Sequence, residues 1–432
     1  MTALPMVEIA TLTLPLPGPG WLHEVIVKFT VAAAVLLPLV SVLAMFFIWL
    51  ERKVSGHIQS RRGPTRTGRW HGWSQSIADG LKLLQKEDLR PKGADEFLFR
   101  LAPYLAFAPA LAAFLFLAWS RDLSGLTDSI NSGVFFLLAV MGIEVLGVIF
   151  AGWASNNKWS VYGAMREACQ MVSYEIPLGL SIITAVMVAG SLNLHTISLK
   201  QSGTAMEWLV FHDPFNMLAF VMYYIAALAS CKRAPFDLPE SESELVAGYH
   251  TEYSGMRFSF FFFAEYAAMF VVSAIQVSLW LGAWYDPFGL VAHLEGLRYA
   301  GDGSVNWKYM VLANGLGVGM FMLKSFALVY VQIWIRWTLP RMRIDQVLHL
   351  CVKVLLPLAC VNLLGAAFYL WLTEPPEMGT VRWVMRVILA SVGVGLVATL
   401  GGIVMYAWVH REKATFKVLM PMSRALPDLP GS

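Results

Sequence analysis

The chain has 432 residues, of which 57% are hydrophobic, 13% aromatic and 14% charged, with a formal net charge of +3. So much apolar material exceeds what a soluble core needs and describes an integral membrane protein. No nucleic-acid partner is expected.

About 20 apolar residues cross the hydrocarbon layer as a helix, and unpaired backbone groups in lipid exclude any open alternative. The apolar runs predict helices near 26–50, 101–119, 134–152, 176–190, 215–230, 258–283, 308–335 and 346–372, and a ninth near 382–409. The fold class is therefore all-α: a polytopic integral membrane protein with an eight-span core over residues 1–372. Residues 373–432 add a loop with Pro375-Pro376, one extra C-terminal transmembrane helix and a basic tail. In that ninth span Ser391, Gly395 and Thr399 form a small-residue face suited to helix packing. The Pro-rich N-terminus lacks a basic start and a small-residue cleavage site, so no removed signal peptide is expected. Loops 51–100, 153–174, 231–257, 336–345 and the tail from 410 hold 23 Lys and Arg, against 6 on the other side. The positive-inside rule puts those loops and the C-terminus in the cytoplasm, or in the matrix of an organelle, and the N-terminus outside.

Residues 51–100 form a polar island with 11 of the 32 Lys and Arg. Within it Trp73, Ile77, Leu81 and Leu84 recur at helical spacing while Asp79, Lys82 and Lys86 take other faces, which predicts an amphipathic helix in the membrane interface. A plain surface anchor would give the same pattern. Arg61 and Arg62 precede a Gly63-Pro64 turn, as topology signals or as partners for acids and lipid phosphates.

The loop 231–257 is acidic, with Asp237, Glu240, Glu242, Glu244 and Glu252. Ser241 and Glu244 have capping-box spacing, so part of the run can serve to start a helix. Within or beside spans lie Glu144, Glu175, Glu265, Lys324, Lys353 and Arg386. A carboxylate at that depth is expensive unless paired, protonated or facing water, and the two lysines are expected to snorkel or to form buried pairs. Clustered buried carboxylates repel one another, which pushes proton affinity upward. The four cysteines, at 169, 231, 351 and 360, show no metal-site spacing, and no nucleotide-binding motif is present. Redox or nucleotide chemistry would need partners.

These residues carry a resemblance. Glu51-Arg52-Lys53-Val54-Ser55-Gly56-His57, Arg62-Gly63-Pro64 and Ile77-Ala78-Asp79-Gly80-Leu81-Lys82 resemble the NuoH family, a membrane component of respiratory complex I (NADH:quinone oxidoreductase). So do Ser173-Tyr174-Glu175, Arg233-Ala234-Pro235-Phe236-Asp237-Leu238 with its glutamates, Ala264-Glu265-Tyr266, and Leu339-Pro340-Arg341-Met342-Arg343. The resemblance implies that the cytoplasmic loops floor a quinone chamber capped by peripheral-arm subunits. Those partners carry the terminal iron-sulfur cluster and the direct headgroup donors, with the FMN also in partner subunits, and small membrane subunits and lipid flank the chain. Arg52, Arg62, Asp79, Phe236 and Asp237 are implied to line the chamber or its exit. Glu144, Glu175, Glu240, Glu242, Glu244, Glu252 and Glu265 are implied to couple quinone reduction to proton translocation, in the inner (plasma) membrane of a bacterium or an organelle membrane.

The pattern departs from the family at two places. Where a glutamate is common before the Pro-Phe-Asp motif, this chain reads Ser230-Cys231-Lys232-Arg233, losing one carboxylate and adding a lysine, with Glu144 as a possible substitute. It also continues past the eighth span. A related membrane-bound hydrogenase or other donor:quinone complex is the alternative reading. A self-sufficient transporter is a third, against which no inverted repeat stands out.

Overall fold

The computed structural model describes residues 20–68, 71–124, 131–298 and 306–373, with scattered helical positions between 380 and 395; the side chains of 20–33, 242–243 and 372–373 are excepted. The expected ninth span and basic tail lie outside this continuous region. Among the described residues there is no strand, only an isolated bridge between Thr204 and Phe288, so the chain is all-α.

The helices run α1 (Gly20–Ile58), α2 (Gln75–Gln85), α3 (Glu96–Phe114), α4 (Gly133–Ala154), α5 (Lys158–Ala189), the short α6 (Leu194–Lys200) and α7 (Pro214–Ser230). They continue with the single turn α8 (Glu242–Leu245), α9 (Gly255–Trp280), α10 (Leu290–Gly296) and α11 (Trp307–Thr338). Last come α12 (Ile344–Leu348), a π-helical stretch over His349–Leu355, and α13 (Leu356–Thr373). Seven segments are long and apolar enough to span a membrane, α12 to α13 counting as one, and α7 is a shorter apolar helix. Seven of the eight expected core spans are thus matched by span-length helices among the described residues, and the expected span near 215–230 by the shorter α7.

Two helices overrun their apolar stretches. The first continues two turns past residue 50, so Glu51, Arg52 and Ser55 belong to α1 and not to the loop. The fifth starts at Lys158, some 18 residues before its expected start, and its polar half carries Glu167, Gln170 and Ser173 on a buried face. Both extensions hold because other protein segments, not lipid, meet their polar side chains. Helix α9 is the centre of the bundle: every residue from Ala264 to Trp280 is buried. A helix enclosed on all sides shows no amphipathic pattern, and its Glu265 must find its partners inside the protein.

The loop between α7 and α9 folds back on α5 through close backbone contacts. A Cβ at Gly163 would stand 2.8 Å from the Pro239 carbonyl. At Gly248, with φ +55°, it would stand 1.7 Å from the same oxygen, so only glycine fits. The capping box expected from Ser241 and Glu244 does not form. Ser241 stands at the N-cap of α8 without a side-chain bond to the helix. Its hydroxyl accepts from Arg341 at 3.1 Å, while Glu244 pairs with Arg166 at 2.5 Å. Arginines from other segments outcompete the local cap for both residues.

At the C-terminal end of α9, Lys324 of α11 neither snorkels nor joins an acid. Its ammonium donates to the carbonyls of Leu281, Ala283 and Tyr285 at 2.6, 3.1 and 2.5 Å and lies 4.1 Å from the Trp208 ring centroid. It thereby satisfies carbonyls at and just beyond the C-terminus of α9, the negative end of the helix dipole. Lys353, by contrast, is exposed.

Gly248→Ala is expected to cost at least about 2 kcal/mol through positive-φ strain and overlap. The readout is limited proteolysis of the 235–253 loop, and cleavage at the unaltered rate would contradict the close-contact account.

Candidate functional site: a cavity joined to buried charges

Between α1, α2, α9 and α11 lies a cavity of about 360 Å³, a size that holds a small-molecule ligand. Its apolar wall includes Met45, Ile48, Leu83, Phe258, Phe262 and Trp337, and its polar wall includes Glu51, Arg52, Asp79, Tyr266 and Arg336. Helix α2 builds one side by its periodicity. Ser76, Asp79, Gly80 and Leu83 face the cavity, whereas Trp73, Ile77, Leu81 and Leu84 point away and are 42–61% exposed. Arg52 of α1 pairs with Asp79 at 2.5 Å, and Ser76 donates to the Met45 carbonyl at 2.9 Å. Those two contacts fasten α2 to α1.

At the polar end, Glu51 gathers three donors. It accepts from Arg233 at 2.8 Å, from the Tyr266 hydroxyl at 2.7 Å and from Arg336 at 2.5 Å. Arg233 is 2% exposed. Its Nε stands 3.0 Å from Glu265, and its guanidinium lies 4.2 Å from the Tyr266 ring centroid. One buried cation thus joins a carboxylate on the cavity wall to one inside α9. Burial disfavours the charge of Arg233, but Glu265, Tyr266 and Glu51 outweigh it and hold its pKa above the ordinary arginine value.

Beyond Arg233 the Pro-Phe-Asp-Leu-Pro-Glu loop sets two acids three residues apart in different surroundings. Asp237 pairs with Arg341 at 2.7 Å, yet burial, reinforced by the Glu240 charge, raises its pKa above the ordinary 3.8. Burial also pushes Glu240 upward, but His250, at 2.7 Å, outweighs it with help from Arg233 and Tyr249, so its pKa falls below 4.5. The two carboxyls are thus driven in opposite directions by their surroundings.

A second charge cluster lies between α4, α5 and the end of α7. Lys232 donates to Glu144 at 2.9 Å and stands 3.7 Å from Glu167. Gln170, next on the same face of α5, donates to the carbonyls of Ala229 and Phe236 at 2.8 and 2.9 Å and ties the loop to the helix.

Residues 30–367 match the family model described as NADH dehydrogenase. The chain belongs to that family. Over 353 residues it is 42% identical to the H subunit of NADH-quinone oxidoreductase from Chlorobaculum parvum, covering 81% of this chain and 94% of that one. The same subunit of the Bacteroides fragilis enzyme is 43% identical over 357 residues, covering 80% and 94%. That of Anaeromyxobacter dehalogenans is 42% identical over 337 residues, covering 78% and 80%.

Of the residues implied by the resemblance, the structure gathers Arg52 and Asp79 at the cavity. Asp237, Glu240 and Glu265 surround Arg233, and Glu144 meets Lys232. The others lie apart. Arg62 is exposed and outside the cavity lining, and Phe236 packs into the core. Glu244 is held at the surface by Arg166, and Glu252 accepts from Asn157 at 2.6 Å as a tie between loops. Glu175 is exposed and borders a separate small pocket of about 40 Å³ beside Tyr174 and Ser230. The side chain of Glu242 lies outside the described residues. Sequence reasoning misses two acids of the site, Glu51 and Glu167. The first stands where the apolar run gives way to the polar island, and the second sits in a polar stretch that reads as loop. The signal each offers is a lone acid at helical spacing from the neighbouring apolar run.

Glu51→Gln leaves Arg233 and Arg336 short of a counter-charge, and removing one member of a buried pair costs about 3–5 kcal/mol. A large loss of thermal stability is expected in the solubilised protein, and a melting temperature unchanged from the parent would contradict the hub role. Because the pKa of Glu240 is lowered, its contribution to stability is present above pH 4.5 and is lost as pH falls through the lowered value. Acid-induced proteolysis of the 235–253 loop should therefore steepen below that pH, and Glu240→Gln should flatten the response. Equal acid sensitivity in both proteins would refute the assignment. Asp237 runs the other way, its raised pKa weakening the fold as pH climbs above 3.8.

Proposed function

We propose that this chain is the membrane subunit of a multisubunit NADH:quinone oxidoreductase, a proton translocase, and holds no complete active site of its own. Its cavity takes the quinone substrate, and its buried charges couple quinone reduction to proton translocation. Iron-sulfur clusters and FMN belong to peripheral-arm partners docked on the cytoplasmic loops, and small membrane subunits and lipid flank the helices. The protein lies in the plasma membrane with its N-terminus outside and its C-terminus in the cytoplasm, as the bias of basic loops favours.

The observation that carries this reading is the juxtaposition at Glu51. An amphipathic cavity, apolar along α9 and charged at the end of α1, meets a carboxylate that is linked through Arg233 to Glu265. An isoprenoid tail suits the aromatic wall, and a headgroup that gains electrons and protons suits the polar end. A change of charge in the cavity is felt first by Glu51, Arg52 and Arg336. In a low-dielectric interior such a change shifts the proton affinity of the acids behind Arg233, which is the coupling step. Asp237 and Glu240, with their opposed tendencies, stand at its start, and Glu265 and Glu144 lie deeper.

Gly80 supplies the test. It faces the cavity, and a Cβ there would meet no atom within 4 Å, so a larger side chain enters the cavity without a backbone clash. In the assembled complex Gly80→Ala should be tolerated, since alanine favours helix by about 1 kcal/mol over glycine. Gly80→Trp should slow reduction of a long-tailed quinone by at least about tenfold, a barrier change near 1.4 kcal/mol, while NADH oxidation by a water-soluble acceptor continues. Full long-tail activity in Gly80→Trp would remove the cavity from the quinone path.

A further inference from the structure

The cluster at Lys232 has more charge than a structural tie requires. Lys232 is 3% exposed, Glu144 6% and Glu167 fully buried. Two carboxylates share one ammonium, and the sharing is unequal. Lys232 donates to Glu144 at 2.9 Å, whereas its distance to Glu167 is 3.7 Å. Neither carboxyl oxygen of Glu167 has a hydrogen-bond partner among the described residues. An ammonium carries three donors on a flexible stem, and a buried acid without donors is a strong attractor for one.

The base of the side chain is fixed. Lys232 sits directly after α7 with φ +54°, a left-handed conformation uncommon for lysine, and its amide donates to the Ala229 carbonyl at 3.2 Å. Glu144 comes from α4 and Glu167 from α5, so the two carboxylates belong to different helices. The other groups facing the cluster are Tyr174 of α5, Cys231 and Arg233 beside it, and Glu240 and Tyr249 of the loop. Glu240 adds negative charge on the loop side.

We propose that Lys232 is a two-position cation shared by Glu144 and Glu167, its ammonium resting on Glu144 and crossing to Glu167 when Glu144 loses its charge. The inference rests on the coupling function proposed above and deepens it: Lys232 is a positioning residue that passes an electrostatic change between α4 and α5. Burial works against its charge, but Glu144 and Glu167 outweigh it and hold its pKa above the ordinary lysine value. What moves at this step is therefore the ammonium, carried on its own side chain.

The test uses the whole assembled complex. Glu144→Gln imitates a neutral Glu144, and a structure of that variant should find Nζ within hydrogen-bond distance of a Glu167 oxygen. An ammonium that stays on the residue 144 amide overturns the proposal. In vesicles, Lys232→Met and Glu167→Gln should each lower protons moved per electron by at least about twofold, the scale of changes along coupled networks. Lys232→Arg should retain more of the ratio than Lys232→Met, because it keeps the charge. An unchanged ratio in Lys232→Met overturns the proposal. Glu265→Gln measured alongside separates the two levels: if it lowers the ratio and Lys232→Met does not, the shared cation alone is wrong. If neither does, the coupling function falls with it. Should Lys232→Met fail to assemble, the Glu144→Gln structure decides by itself.

Discussion

An arginine that is almost wholly inside the protein governs this architecture. Arg233 cannot shed its proton, and desolvating it is costly unless several acceptors surround it. Glu51 and Glu265 supply that shell from α1 and α9, with Tyr266 beneath the guanidinium. The three segments can approach only if each brings its polar group to the same depth. That requirement explains why α1 stays helical past its apolar stretch. It also explains why Glu265 can sit in the most enclosed helix of the bundle.

The charges form a series, not a single pool. Glu51, Arg233 and Glu265 lie behind the cavity wall, Glu240 and His250 hold the loop above them, and Glu144, Lys232 and Glu167 bind α4, α5 and the end of α7 together. Helix α5 connects the series to the loop because Gly163 admits the Pro239 carbonyl against its backbone. At the other end of α9, Lys324 closes the carbonyl terminus, and the loops there are tied by Arg121 with Glu295 and by Arg298 with Asp122. The charge series thus lies near the end of α1 and the start of α9, while the far end of α9 is held by its own ion pairs and by the Lys324 carbonyl contacts.

The fold was legible because lipid imposes one rule on every span: a long apolar run must be helical. All eight core spans followed from it, and so did α2, whose stripe of Trp73, Ile77, Leu81 and Leu84 is a periodicity signal. Helix extensions were not legible. The polar half of α5 has no apolar run, and its helix is sustained by partners far away in sequence, Lys232 being 65 residues from Glu167. The site was partly legible for the same reason. Arg52 with Asp79, and the acids of the 231–257 loop, stood out as charges near hydrocarbon, but their pairing depends on which helices pack together. Ser241 shows the limit of local rules: a motif with the right spacing gave way to an arginine 100 residues away.

Helix α2 presents its apolar stripe outward and its polar edge to the cavity, fastened to α1 by one ion pair and one hydroxyl contact. One wall of the cavity therefore rests on an 11-residue helix whose apolar stripe needs cover from outside this chain.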